Sequence, residues 1–217
     1  DNEKVWSDVY TPTKDVVKSN WLPVNEVFQF ESPLEETIKI SFFSGSRLLN
    51  CLGYFNPHNL SAEITAFKDE DDGVIYAEKI TLIDNQLKID LHCQDISLGF
   101  TSMTSDQVSR AFDLSTKNYS FKLSSEVLTK ITALLPLDKS ELFSIYSDST
   151  GVHAKSESFD LIIDDNYTEE KASCKVFKSF LQKVDKESYN ISVCENKMVF
   201  VSEESNTMAA LNLAITE

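Results

Sequence analysis

Lysines recur at Lys171, Lys175, Lys178 and Lys186, and Gln182 fills the one gap in the series. Wound into a helix, these five positions fall within an arc of about 80°. Ala172, Val176, Phe177, Phe180, Leu181 and Val184 centre on the opposite side. Such a stripe offers point charges to a polyanion, because ammonium groups meet phosphates and read no bases. The plainer reading is a solvated helix face. An ordinary solvated face, however, interleaves Glu at i±4 to its lysines, and none stands within this stripe. The lysines would then repel one another by roughly a few tenths of a kcal/mol per pair. Arg47, opposite the apolar side of an earlier helical segment, and Lys130, at the edge of another, are lesser phosphate candidates. No aromatic platform with interleaved basic residues accompanies them, which disfavours single-strand recognition by stacking.

The stripe belongs to an acidic chain. Its 217 residues carry 20 basic and 35 acidic side chains, a formal net charge of −15. A generally basic nucleic-acid binder is excluded; a local basic surface is not. No apolar run approaches the roughly 18 residues of a membrane span. No cationic start followed by an apolar stretch is visible, although a chain beginning at Asp1 can have lost one. A cytoplasmic location is expected, in the host cytoplasm if a phage encodes the protein.

Other chemistry finds little support. Cys51, Cys93, Cys174 and Cys194 lie far apart with no CxxC pair, so they read as reduced, buried thiols and not as zinc ligands. His58, His92 and His153 are too scattered for a metal site or a triad. With five glycines and no GxGxxG, P-loop or GxSxG, no catalytic or phosphate-cradling motif is present. The run Asp69 to Gly73 lacks the offsets of a calcium loop and reads as an acidic hairpin turn. A non-enzyme without cofactor or metal is expected.

The elements that would position the stripe follow from periodicity. Period-2 stretches abound, among them Ile80–Ile83, Leu87–Leu91, Phe143–Tyr146, Tyr189–Val193 and Met198–Val201. Turns such as Asp84-Asn85 and Glu195-Asn196 join them as antiparallel sheet. Val5–Tyr10 and Val24–Phe30 also look like strands. Helical spacing marks 44–55, 124–135 and about 169–186, the second opening on a capping Ser124 and stopping at Pro136. The order strand, helix, three strands then appears three times. The expected fold is α+β, built of repeated βαβββ modules with antiparallel sheets outside and helices on the inner face. A first domain over 1–98, whose first 36 residues hold no evident helix, a linker over 99–117 and a second domain over 118–217 are expected.

The chain resembles the DNA sliding clamps, and most closely those of T-even-type phages. The resemblance is carried by Phe121-Lys122-Leu123-Ser124-Ser125-Glu126-Val127-Leu128 and Gly151-Val152-His153-Ala154-Lys155. It continues from Val176-Phe177-Lys178-Ser179-Phe180-Leu181 through Tyr189–Val193 to Met208–Leu213. It implies a non-enzymatic processivity factor in DNA replication: a homotrimeric ring around double-stranded DNA, with the lysine stripe, Arg47 and Lys130 toward the duplex. It also implies a replicative DNA polymerase and a clamp loader as partners, docking short peptides near 99–117. Phe100, Met103, Val108 and Phe112 are the apolar candidates for that groove; simple packing of the linker on a sheet is their other reading. The alternative to a clamp is a secreted or viral β-rich binding or structural protein, which the sequons at Asn59, Asn118, Asn166 and Asn190 allow.

Overall fold

The computed structural model describes residues 4–24, 36–41, 45–71, 73–94, 103–166 and 173–214. They form two compact units, one drawn from residues between 24 and 94, the other from 4–23 and 103–214. The secondary structure is mostly antiparallel sheet with few helices.

After β1 (Lys4–Tyr10) and β2 (Val16–Pro23), which belong to the larger unit, the smaller unit runs through β3 (Ile38–Lys39), α1 (Gly45–Leu52), β4 (Ser61–Lys68), β5 (Ile75–Ile83) and β6 (Lys88–His92). One edge of β5 pairs with β4; its other edge takes β3 in parallel at Ile75 and Tyr76, then β6 from Lys79 onward. Phe55, Ile80, Leu82 and Leu91 form the core, with Leu48, Cys51 and Leu52 of α1 packed against it.

The larger unit contains β1 (Lys4–Tyr10), β2 (Val16–Pro23), α2 (Ser105–Phe112), β7 (Lys117–Leu123), α3 (Ser125–Leu134) and β8 (Leu142–Asp148). It continues through β9 (Gly151–Lys155), β10 (Asp160–Asp164), β11 (Ser173–Phe177), α4 (Lys178–Leu181), β12 (Tyr189–Cys194), β13 (Lys197–Ser202) and β14 (Thr207–Asn212). Its two sheets run β1-β2-β14-β13-β12-β7 and β10-β9-β8-β11. The strand ahead of each helix joins the other run's sheet: β7 pairs with β12, and β11 with β8. Strict alternation drives this. Tyr119, Phe121 and Leu123 of β7 are buried and their neighbours exposed; Phe143 and Ile145 of β8 are buried between half-buried neighbours. Both strand sets and the inner faces of α3 and α4 share one core, including Leu128, Ile131, Val152, Val176, Leu181, Ile191 and Phe200. Gly151 (φ +133°) opens β9 in a conformation side chains rarely adopt, and a Cβ there would fall 2.2 Å from the Asp164 carbonyl oxygen.

Several expectations are corrected. Residues 173–177 are strand, and the helix expected over 169–186 survives only as one turn, Lys178–Leu181. Ala172, Val176 and Phe180 fit a helical period, but Cys174 and Val176 equally fit a strand, and pairing with β8 buries Val176 completely. The N-terminal segment divides differently from the expected 1–98 domain. Residues 4–23 fold as a hairpin on the sheet of the C-terminal half, through β2 against β14. Thr207 Oγ1 donates to Asn20 Oδ1 at 2.6 Å, and Asn212 N to the Asp15 carbonyl at 2.8 Å. The second N-terminal strand is Val16–Pro23; the expected strand over 24–30 lies almost wholly outside the described residues. The expected linker is helical over Ser105–Phe112, with reciprocal hydrogen bonds between Thr104 and Gln107 closing its first turn.

All four cysteines are free thiols, Cys194 buried and the others partly so. Burial pushes the Cys174 thiol up to about 12 and raises that of Cys93. Titration of the unfolded protein without reductant should therefore count all four. In the native protein at pH 8, Cys194 should alkylate only as the fold opens, because it is buried, and Cys174 should alkylate slowly, since the thiolate is the reactive species and burial disfavours it there.

Candidate nucleic-acid interface and partner cleft

α3 begins where the Ser124 hydroxyl accepts from Val127 N, and buries Leu128 and Ile131. Its opposite face exposes Glu126, Thr129, Lys130 and Ala133. Lys130 is not a free charge: its Nζ stands 2.7 Å from Glu126 one turn earlier, and that bond holds the Glu126 carboxyl low. α4 and the turn after it bury Leu181 and Val184 and expose Ser179, Gln182, Lys183 and Lys186. No carboxylate among the described residues lies within ion-pair distance of Lys183 or Lys186. Arg47 is exposed on α1 of the smaller unit.

The lysine stripe is not assembled as expected. Lys171 lies outside the described residues. Lys175 is exposed on strand β11, where alternation turns it away from the core that receives Val176. Lys178 is a correction: it is buried, and its ammonium donates to the Leu135 carbonyl at 3.1 Å and the Asp138 carbonyl at 3.0 Å. It also stands 3.7 Å from Asp138 Oδ2. Both carbonyls follow the end of α3, where orphan acceptors attract a cation. The Ser140 backbone N–H holds the Asp138 carboxyl below its ordinary value against the opposing effect of burial, aided by Ser156, Glu157 and Lys178. Lys178 therefore ties α4 to the end of α3 and cannot reach a duplex. Gln182 and Lys186 remain exposed. Sequence reasoning missed Lys183, which an unbroken helix over 169–186 would have set off the stripe.

A second feature lies in the same unit. A cleft of about 190 Å³ opens between α2 and the sheet, lined by Lys14, Val17, Met103, Gln107, Arg110, Asn196, Lys197, Ala210 and their neighbours. Of the apolar groove candidates, Met103 lines it. Val108 and Phe112 lie on α2, both half-buried, and Phe100 falls outside the described residues. The Thr-x-x-Gln pattern at 104–107, followed by Val108, Ala111 and Phe112, is the sequence signal for α2.

His153 is a buried structural group. Its Nδ1 lies 3.0 Å from Asp160 Oδ1 and its Nε2 3.2 Å from Asp148 Oδ1. The ring stacks on Tyr146 at 4.8 Å. Thr150 Oγ1 is 2.8 Å from Nε2, but the same hydroxyl is 2.6 Å from Asp148 Oδ1, so these contacts knit the β8–β9 turn to β10. No group of metal-binding side chains occurs among the described residues, and no described helix is long and apolar enough to cross a membrane.

No protein-family model matches the sequence, and no curated protein does. Solved structures do. The β subunit of DNA polymerase III from Pseudomonas aeruginosa superposes with a TM-score of 0.62 at 7% identity, covering 100% of this chain and 56% of the other. A. fulgidus PCNA, solved with the C-terminal region of FEN-1, gives 0.60 at 11% identity, covering 99% and 87%. The Helicobacter pylori β clamp bound to a DNA ligase peptide gives 0.57 at 12%, covering 100% and 59%. The fold is that of the sliding clamps, and the chain spans a little over half the length of the bacterial β chains it matches.

The position of Lys178 gives a stability test. Lys178→Met should cost about 3 kcal/mol, because two carbonyls lose a hydrogen bond and the Asp138 carboxylate loses its neighbouring cation. A lower urea midpoint at unchanged slope would register it. Lys186→Met, on the exposed turn, should stay within about 0.5 kcal/mol of wild type.

Proposed function

We propose that the protein is a sliding clamp that encircles double-stranded DNA and tethers a replicative polymerase. The observation that supports this best is the agreement of the whole described fold with both bacterial β and archaeal PCNA clamps. In this reading the strand–helix–three-strand run is the repeated module, and the exposed faces of α1, α3 and α4 line the hole. Three chains close the ring head to tail. The kinship with T-even-type phage clamps rests on the sequence resemblance alone.

A ring linked topologically to DNA needs only a weak, sequence-blind attraction, since tight binding at one register would stop it sliding. Arg47, Lys130, Lys171, Lys175, Gln182 and Lys186 are the proposed DNA-facing groups, joined by Lys183. Each supplies a screened interaction with phosphate, and the net charge of −15 keeps DNA off the remaining surface. Polymerase and clamp loader dock peptides at the α2 cleft. One neighbouring clamp is bound to a ligase peptide and another to the C-terminal region of FEN-1, which supports peptide docking as the mode of engagement.

Three measurements test the reading. Native mass should be three times 24.5 kDa; a strict monomer at high concentration speaks against the ring. On primed circular DNA, Lys183→Glu/Lys186→Glu should lose most loading and processivity while keeping the wild-type mass. Binding to linear duplex should be weak and fall steeply with salt. Equal loading and processivity for variant and wild type would remove this face from the DNA.

A further inference from the structure

The lining of the α2 cleft carries charge of one sign: Lys14, Arg110 and Lys197 line it, and no carboxylate does. Several other lysines of this acidic protein stand beside carboxylates: Lys18 with Asp185, Lys68 with Glu36, Lys122 with Glu203, Lys155 with Asp160. Among the described residues, none of the three cleft cations is within ion-pair distance of a carboxylate. Lys14 and Lys197 are instead placed by neutral groups. Lys14 occupies the left-handed region (φ 60°) in the β1–β2 turn, and its Nζ reaches Gln107 Oε1 at 3.5 Å. The Lys197 ammonium donates to the Arg110 carbonyl at the end of α2. Asp113 is near enough for Lys197 to help hold its carboxyl low, behind the larger effect of Ser115, but it lies outside the lining.

The remaining lining says what kind of anion fits. Val17 and Ala210, both buried, join Met103 and Ala111 as an apolar floor, and Asn196 and Asn212 stand at the side. At about 190 Å³ the space is smaller than the roughly 300–1,000 Å³ that cofactor and nucleotide sites occupy. It suits one side chain of a longer ligand. A nucleic-acid backbone would leave the apolar floor uncovered.

We infer that the cleft between α2 and the sheet docks an acidic segment of a partner protein. One apolar side chain sits on the Val17–Met103–Ala210 floor, and flanking carboxylates are held by Lys14, Arg110 and Lys197. This deepens the proposed partner site by specifying its ligand, and it rests on the clamp reading only for the expectation that a partner comes there.

Fluorescence polarisation with the full chain tests it. The probes are labelled eight-residue peptides with two Asp on each side of a central Leu, Ile, Met or Phe, and twins with Asn in place of Asp. At least one acidic peptide should bind ten or more times tighter than its Asn twin, and its affinity should fall with salt. Arg110→Glu/Lys197→Glu should abolish binding with an unchanged urea midpoint. If that variant does not fold, Arg110→Gln/Lys197→Gln should weaken binding at least tenfold. Lys139→Glu, outside the cleft, should leave it unchanged. No binding by any acidic peptide at about 1 mM overturns the inference, as do equal affinity for the Asn twins and displacement by an equimolar duplex or single-stranded oligonucleotide. Loading on primed circular DNA separates the two readings. A protein that loads but binds no acidic peptide retains the clamp function and loses this inference; one that binds the peptide but neither trimerises nor loads does the reverse.

Discussion

The larger unit depends on an exchange of strands. β7 leaves its own run to complete the sheet of β12–β14, and β11 leaves its run to complete that of β8–β10. Neither sheet is whole without a strand from the other half. The two halves therefore close on one core, in which Phe121, Ile145, Val176 and Ile191 are all buried. The exchange also fixes the helices. α3 must begin immediately after β7 and α4 immediately after β11, so each helix starts at a sheet margin and lays its apolar side on the shared core. The exposed polar faces follow from that, without any demand from the polar residues themselves.

Lys178 shows how closely a structural cation can resemble a functional one. It stands at the joint where β11 passes into α4 and opposite the end of α3, where it donates to the carbonyl of Asp138 and to that of Leu135, which otherwise accepts only at 3.5 Å from the Asp138 N–H. A lysine reaches both and keeps its aliphatic stem in the core. In the sequence it reads as one more member of a basic stripe, because spacing records the residue type and not the direction of the side chain.

Strands were legible where one face is buried, as in the alternation of β7 and β8, or where an apolar run is buried on both faces, as at Met198–Phe200 of β13, and α3 announces itself through Ser124, Leu128, Ile131 and Pro136. Residues 173–184 were not. Val176, Phe177, Phe180 and Leu181 satisfy both periods, and the decision lay with the open edge of β8, some 30 residues away in the chain. The hairpin of residues 4–23 hid its destination for a similar reason, since its partner β14 sits near the other end of the chain. The α2 cleft was foreseen only through Met103. Its three cations come from the β1–β2 turn, α2 and the start of β13, and no local spacing joins Lys14 to Arg110 and Lys197.

The pairing of β2 with β14 bears on how the chain acquires its shape during synthesis. Asn20 meets Thr207 across 187 positions of sequence. The hairpin of residues 4–23 is made well before β14, yet its inner edge finds a mate only when that strand has emerged. Until then Val16 and Val17 have no sheet to cover them, and the nascent chain presents an unpaired edge to its neighbours on the polysome. Closing so long a loop is slow as well as late. An edge left open for so long is a risk of misassembly built into a sheet whose adjacent strands β2 and β14 are made so far apart.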